Sequence, residues 1–400
     1  MRKLKLKELN SGYEVSKKKS GGISKKGRAA IIVISALVIA FIATYIASAV
    51  GVLPIEAVSA KMFGGTKNFG LSLDSDSVVN IKNIGEGLLV LTDKSATLYG
   101  SDGKEIYTAV HSFSKPAVSV NGKKAAVFDR NGKGFILLND KKQVLTGEAD
   151  GVILAMCYGK NGSFAISSRG ESSTSTLTVY NSRSDVIFKW NCAYENITSI
   201  ALSDTGKSAG AALFGVKDGE YYTTVRYFDF DYSEPLSSAT KSGAAPLGVA
   251  FTSRGGLTLF SDTGVYGLKK NSEEFECIDE FYTPEFNSFS VNSDGVYQVT
   301  LANHGSTNSF CIKLYDKNGA KKAEIPVTKE LKSVSLGDKY IFALAENEIM
   351  VYNFKGAEVG KVSVTGKLYS IYPNDKYIYI YSLDKITKAY SYGDSSVTVG

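Results

Sequence analysis

Eight times between residues 78 and 373 the chain returns to one short pattern: VVNIKN at 78, AVSVNG at 117, VILAMCYG at 152, ITSIALS at 197, PLGVAFT at 246, NSFSVN at 287, LKSVSLG at 331 and LYSIYP at 368. The starts lie 35 to 49 residues apart and average about 41. A period of that size means one supersecondary unit, repeated and stacked. After each opener comes a turn, such as Asn121-Gly122, Asn161-Gly162, Thr205-Gly206 or Asp294-Gly295, and then a nearly continuous apolar run such as GLLVLT, AAVFDR or YIYIYS. Strands without polar alternation are buried on both faces. A third strand often ends in Tyr and leads through a polar turn to a fourth, as in LYGSDGKEIY at 98 and VYNSRSDVIFKW at 179.

Beyond residue 68 no stretch of ten residues keeps a helical period. Four short strands per unit, eight units long, predict an all-β chain: an eight-bladed β-propeller over residues 69–400, with seven blades as the alternative count. Ring closure has two candidate strands, Phe69–Leu73 as the outer strand of the last blade or Ser396–Val399 in its place.

The Tyr, turn, Gly-Lys, apolar stretches resemble PQQ-like repeats, and Val186–Trp190 carries the terminal Trp of such a repeat. WD40-like propellers are similar in layout, although no Trp-Asp dipeptide occurs and Trp190 is the chain's one tryptophan. With the N-terminal segment described next, the layout resembles an uncharacterised family of membrane-anchored propellers from Gram-positive anaerobes. That resemblance implies a fold and no activity.

Ala29 to Leu53 holds no charge, and thirteen of its 25 residues are Ile, Leu, Val or Phe. On the insertion scale these favour a bilayer by roughly 6 kcal/mol, and a helix of this length spans roughly 37 Å. Pro54 ends it. A cleaved signal peptide is the rival reading, but the run exceeds a signal core and its leader is long. Residues 1–28 carry ten Lys/Arg against Glu8 and Glu14, so the positive-inside rule puts the N-terminus in the cytoplasm. The expected order is a basic cytoplasmic tail (1–28), a transmembrane signal-anchor (29–53), a linker (54–68) and an extracytoplasmic propeller.

The net charge of +6 belongs to the tail, because the remaining residues hold 36 basic and 38 acidic side chains. A near-neutral domain has no electrostatic drive toward nucleic acid, and the tail's charge suits topology and anionic lipid. Cys157, Cys192, Cys277 and Cys311 form no CxxC pair, and His111 and His304 stand far apart. No metal site and no cofactor are expected. The acidic run Glu273, Glu274, Glu276, Asp279, Glu280 and Glu285 falls on a predicted outer strand and is read as solvent-facing rather than as a glycosidase pair. Asp229, Asp231 and Glu234, which alternate with Phe228 and Phe230, read as an amphipathic strand rather than a calcium loop.

The functional expectation is a non-enzymatic binding or scaffold propeller engaging an envelope protein, with a glycan as a further candidate ligand. The alternatives are an envelope enzyme acting on polysaccharide or a cofactor, and a sensor read by a cytoplasmic partner. Recognition belongs on loops. Three second-to-third strand connections read as long: Arg169–Ser175, Val216–Tyr222 and Asn303–Asn308. The blade connection Ser238–Pro246 is expected on the same side. They offer Arg169, Glu171, Lys217, Asp218, Glu220, Tyr221, Tyr222 and His304 as contact residues.

Overall fold

The computed structural model describes residues 70–73, 78–130, 132–170, 172–281, 285–292, 294–303, 305, 308–366, 368–374, 377–382, 385–390 and 395–398. The tail, anchor and linker expected from the sequence lie outside these residues. Among the described residues no helix is long and apolar enough to cross a membrane.

The chain forms eight antiparallel sheets, each built around four strands in meander order. The inner strands are Val78–Ile84, Pro116–Asn121, Val152–Tyr158, Asn196–Leu202, Pro246–Phe251, Glu285–Val291, Ser333–Leu336 and Leu368–Pro373. These are the eight openers of the sequence repeat, and they define blades 1 to 8. Inner strands adjoin those of neighbouring blades, blades 5 and 6 meet through a shared hydrophobic cluster, and blade 8 meets blade 1, so the ring closes. The expected eight-bladed propeller is the observed fold.

Both candidate closing strands are used, for different purposes. Gly70–Ser72 pairs antiparallel with Lys385–Tyr390 and supplies the outer strand of blade 8. Ser395–Thr398 instead pairs parallel with the outer strand of blade 7, Glu358–Thr365, as a fifth strand there. The ring is therefore fastened by an N-terminal strand on a C-terminal blade.

There is no single core. Eight hydrophobic clusters fill the eight blade-to-blade interfaces. Second strands show why their apolar runs are continuous. Leu89 and Leu91 pack toward blade 2, whereas Leu88 and Val90 pack toward blade 8. A pleated strand presents alternate residues to opposite faces, and both faces of a blade are interior.

The upper face carries the second-to-third strand loops and the blade connections. Backbone hydrogen bonds such as His111 N to Lys94 O and Gly243 N to Tyr221 O tie the two sets together. The lower face carries the remaining turns. There Asn121 Nδ2 donates to Tyr158 O at 3.0 Å and Asn292 Nδ2 to Gly337 O at 3.1 Å, each bridging to the next blade. The strand Gly70–Ser72 runs from the lower to the upper face, antiparallel to its partner. The chain thus enters the ring at the lower rim of blade 8.

Candidate recognition face and channel

The predicted contact residues that the structure describes lie on the upper face. Arg169 ends the second strand of blade 3 (Phe164–Arg169) and is exposed, with a true loop running to Ser175. Glu171 and His304 lie outside the described residues. The connection predicted at Asn303–Asn308 is a loop between Tyr297–Ala302 and Phe310–Tyr315.

Blade 4 corrects the reading of Val216–Tyr222 as a long loop. Its second and third strands, Ser208–Lys217 and Glu220–Asp229, are ten residues each and stay paired to Lys217↔Glu220. Only Asp218 and Gly219 turn, at φ 53° and 85°. Two positive φ values make a type I′ hairpin, whose twist matches the strands it joins. The charged run KDGE hid this, although Asp-Gly is itself a hairpin signal. Likewise Ser238–Ser242 belongs to the outer strand Ser237–Ser242, and only Gly243–Ala245 connects blades 4 and 5.

The hairpin is longer than any other second-to-third strand pair, and exposed apolar side chains flank its charged tip. Val216 is 65% exposed and Tyr221 41%, and Tyr194, in the neighbouring blade connection, is 87% exposed. Tyr221 packs beside Phe214, with ring centroids 6.2 Å apart. Tyr222 lies across Gly215, where a Cβ would come within 2.4 Å of its ring.

Beneath Tyr194 is a polar pin that the sequence reading missed. Glu195 is buried and receives Arg226 Nη2 at 3.0 Å and Thr224 Oγ1 at 2.5 Å. The Arg226 guanidinium stands 4.8 Å from the centroid of Trp190, and Cys192 lies 3.6 Å from Glu195 Oε2. Trp190 and Cys192 belong to the outer strand of blade 3 and Arg226 to blade 4. The ion pair locks two blades and sets the base of the hairpin.

A notch of about 440 Å³ opens between blades 5 and 6, lined among others by Glu280, Phe281, Asn303, Cys311, Lys313 and Glu324. This corrects the solvent-facing reading for part of the acidic run. Asp279 and Glu280 sit on the outer strand of blade 5 (Phe275–Glu280) but are only partly exposed. Lys313 pairs with Asp279 at 3.0 Å, and Tyr315 also donates to Asp279. Lys241 pairs with Glu280 at 2.9 Å, joined by Tyr266 at 3.2 Å. Glu276 faces water and pairs with Lys269 at 2.8 Å. Burial pushes the Cys311 thiol up to about 11, with Glu324 adding to the rise. Burial also raises Cys277. Thiols shifted this way are poor nucleophiles, and the charges around them are already paired.

The run at Asp229 and Asp231 resolves simply. Asp229 ends the third strand of blade 4 and binds Lys270 at 3.2 Å. Phe230 and Asp231 fall in the turn beyond it, so the predicted amphipathic strand stops at Asp229. Among the described residues no group of three His, Cys, Asp or Glu could hold a metal ion.

The inner strands are almost free of charge. In all eight inner strands only Lys82 and Glu285 are ionisable as acid or base side chains of the Asp, Glu, Lys, Arg and His types.

Three comparisons bear on this geometry. The family model described as "Family of unknown function (DUF5711)" matches residues 68–388. A comparison with curated proteins returns no match. Among solved structures, the C-terminal WD40 domain of Sif2 is similar at TM-score 0.53 and 11% identity, over 81% of this chain and 99% of that one. Chaetomium thermophilum Sqt1, solved bound to the N-terminus of the ribosomal protein L10, is similar at TM-score 0.52 and 11% identity, over 80% of this chain and 98% of that one. At such identities the likeness is one of fold.

Proposed function

The chain belongs to this family of unknown function, and from that premise we propose that it is a non-enzymatic binding or scaffold propeller whose upper face engages a protein partner. The observation that carries the proposal is the blade 4 hairpin with its exposed Tyr194, Val216 and Tyr221. Tyrosines are favoured at interfaces because they offer large, stiff contact area with a polar tip. The pin of Glu195 and Arg226 holds that surface in place, and preorganisation lowers the cost of binding. The pairing of charges in the notch supports binding over catalysis.

We read the N-terminal segment as a membrane tether with the propeller outside the cytoplasm, which makes an envelope protein the expected partner. The uncharged run from Ala29 to Leu53 and the basic tail support this.

The test is a photo-crosslinking amino acid placed at Tyr221, or at Tyr232, which is 58% exposed on the lower turn of blade 4. In intact cells Tyr221 should yield one discrete adduct and Tyr232 none. Equal yields from both positions, or none from Tyr221, would reject the upper face as the recognition surface.

A further inference from the structure

Among the described residues blade 7 is the one blade with a fifth strand. Ser395–Thr398 lies on its outer strand, Glu358–Thr365, and pairs over Val362–Thr365. That outer strand, at eight residues, is the longest of the eight. Val362 and Val364 are buried in the interface with blade 8, which fixes the edge in place. Ser363 and Thr365 are exposed. Val364 N donates inward to Asn347 O at 2.8 Å. Backbone groups alternate in direction along a strand, so Ser363 and Thr365 turn theirs outward, toward the added strand.

Open strand edges are templates for pairing, and proteins defend them with charge and proline. The outer strand of blade 6 carries Lys321, Lys322, Glu324 and Pro326. Blade 7 has Glu358 and Lys361 in the first half of its edge, but the second half, VSVT, has neither charge nor proline. The chain covers that undefended half with a strand from elsewhere.

The cover is not built like the rest of the ring. In sequence it follows the third strand of blade 8, yet it pairs on blade 7, while Gly70–Ser72 holds the edge of blade 8. Its pairing is parallel and four residues long, whereas the four strands of the blade itself are antiparallel. Parallel pairs are slightly less stable per residue, and the ring closes without this strand. A four-residue strand that the fold does not need can be exchanged for another. We propose that the outer edge of blade 7 is a strand-addition site for an extended segment of a protein partner, with Ser395–Thr398 as its removable cover. In such sites main-chain hydrogen bonds supply affinity and alternate side chains supply selectivity. The cover shows the chemistry that fits: an uncharged run of hydroxyl and β-branched residues, SSVT, laid parallel on VSVT. The site is on the rim, apart from the upper-face surface, and either can fail without the other.

The test uses the full chain in detergent, with fluorescein-labelled SSVTVG, the sequence of residues 395–400, as the probe. Val397 lies opposite Val364, and Val397→Pro removes a donor from the cover and opens the edge. Ser363→Pro removes an outward donor and leaves the inward ladder intact. The probe should bind Val397→Pro roughly tenfold more tightly than the wild type, and the double variant no better than the wild type. No gain in Val397→Pro, or binding that survives Ser363→Pro, overturns the site. Amide exchange of the wild type is a second arm that needs no variant. The outward amides of Ser363 and Thr365 should exchange roughly tenfold faster than the inward amide of Val364. Equal protection of all three would make the C-terminal strand a permanent part of the blade and reject the proposal. In cells, a photo-crosslinking residue at Thr365 of Val397→Pro identifies the occupant by the sequence it captures. An uncharged segment of another protein is expected. No adduct, a charged segment, or only this chain's own residues 395–398, from the same or a second copy, would reject an outside strand.

Discussion

The guanidinium of Arg226 stands 4.8 Å from the ring centroid of Trp190, across the boundary between blades 4 and 3. The same Arg226 closes a 3.0 Å ion pair with Glu195, which is 5% exposed. Removing one partner of a buried pair strands the other charge, at a typical cost of about 3–5 kcal/mol. Arg226 keeps some contact with water, so Arg226→Met should cost about 2–4 kcal/mol in denaturant unfolding. Adding Glu195→Gln should recover part of that loss. If the two losses simply add, the pair is not coupled and the pin is only packing.

Closure of the ring makes a second prediction. Gly70–Ser72 covers the edge of Lys385–Tyr390, next to a cluster holding Tyr379 and Ile386. Deleting residues 70–72 exposes that cluster, and each large buried side chain is worth about 1.5–3 kcal/mol. The loss should reach about 3–5 kcal/mol, with proteolysis starting in blade 8. Deleting residues 395–398 removes only a fifth strand and should cost much less. Equal losses would show that the N-terminal strand has no special part in fastening the ring.

The blades were readable because every inner strand repeats the same pattern at a similar spacing, and the eight openers match the eight inner strands within two residues. Closure was only half readable. Pairing of Leu71 with Ile386 joins residues more than 300 positions apart, and no local signal selects one distant edge over another. The blade 4 hairpin was misread because charge at Lys217, Asp218 and Glu220 outweighed the Asp-Gly turn signal. The pin of Trp190, Glu195 and Arg226 was invisible for another reason: it draws on two blades and has no linear motif.

His111 gives the upper face a pH dependence. It sits in the connection between blades 1 and 2, stacked on Phe113 with centroids 4.6 Å apart. Its Nδ1 accepts the Phe113 backbone N–H at 3.3 Å. Burial holds its pKa below the ordinary 6.5, opposed in part by the Ser95 backbone, Asp93 and Asp129. Above pH 6.5 the ring is neutral in both folded and unfolded chains. As pH falls below that value the unfolded chain takes up the proton first, so stability drops until the folded pKa is passed. Denaturant unfolding at pH 7.5 and 5.5 should show this loss in the wild type and a smaller one in His111→Gln. An identical pH dependence in both proteins would remove His111 from the account.

The turn at Asp218 and Gly219 separates stability from recognition. Both residues need positive φ, which glycine adopts freely and a β-branched residue resists by roughly 1–2 kcal/mol. A Cβ at Gly219 meets no atom within 4 Å, so any penalty is conformational rather than steric. The tip adds little to the blade interfaces, since Val216, Lys217, Glu220 and Tyr221 are all exposed. Gly219→Val should therefore fray the hairpin while lowering global stability by no more than about 1 kcal/mol. Amide exchange should quicken from Val216 to Tyr221, and crosslinking from Tyr221 should fall. Asp218→Asn keeps a residue that tolerates positive φ and should leave both unchanged. Frayed amides with undiminished crosslinking would mean that the partner reads the side chains and not the rigid hairpin.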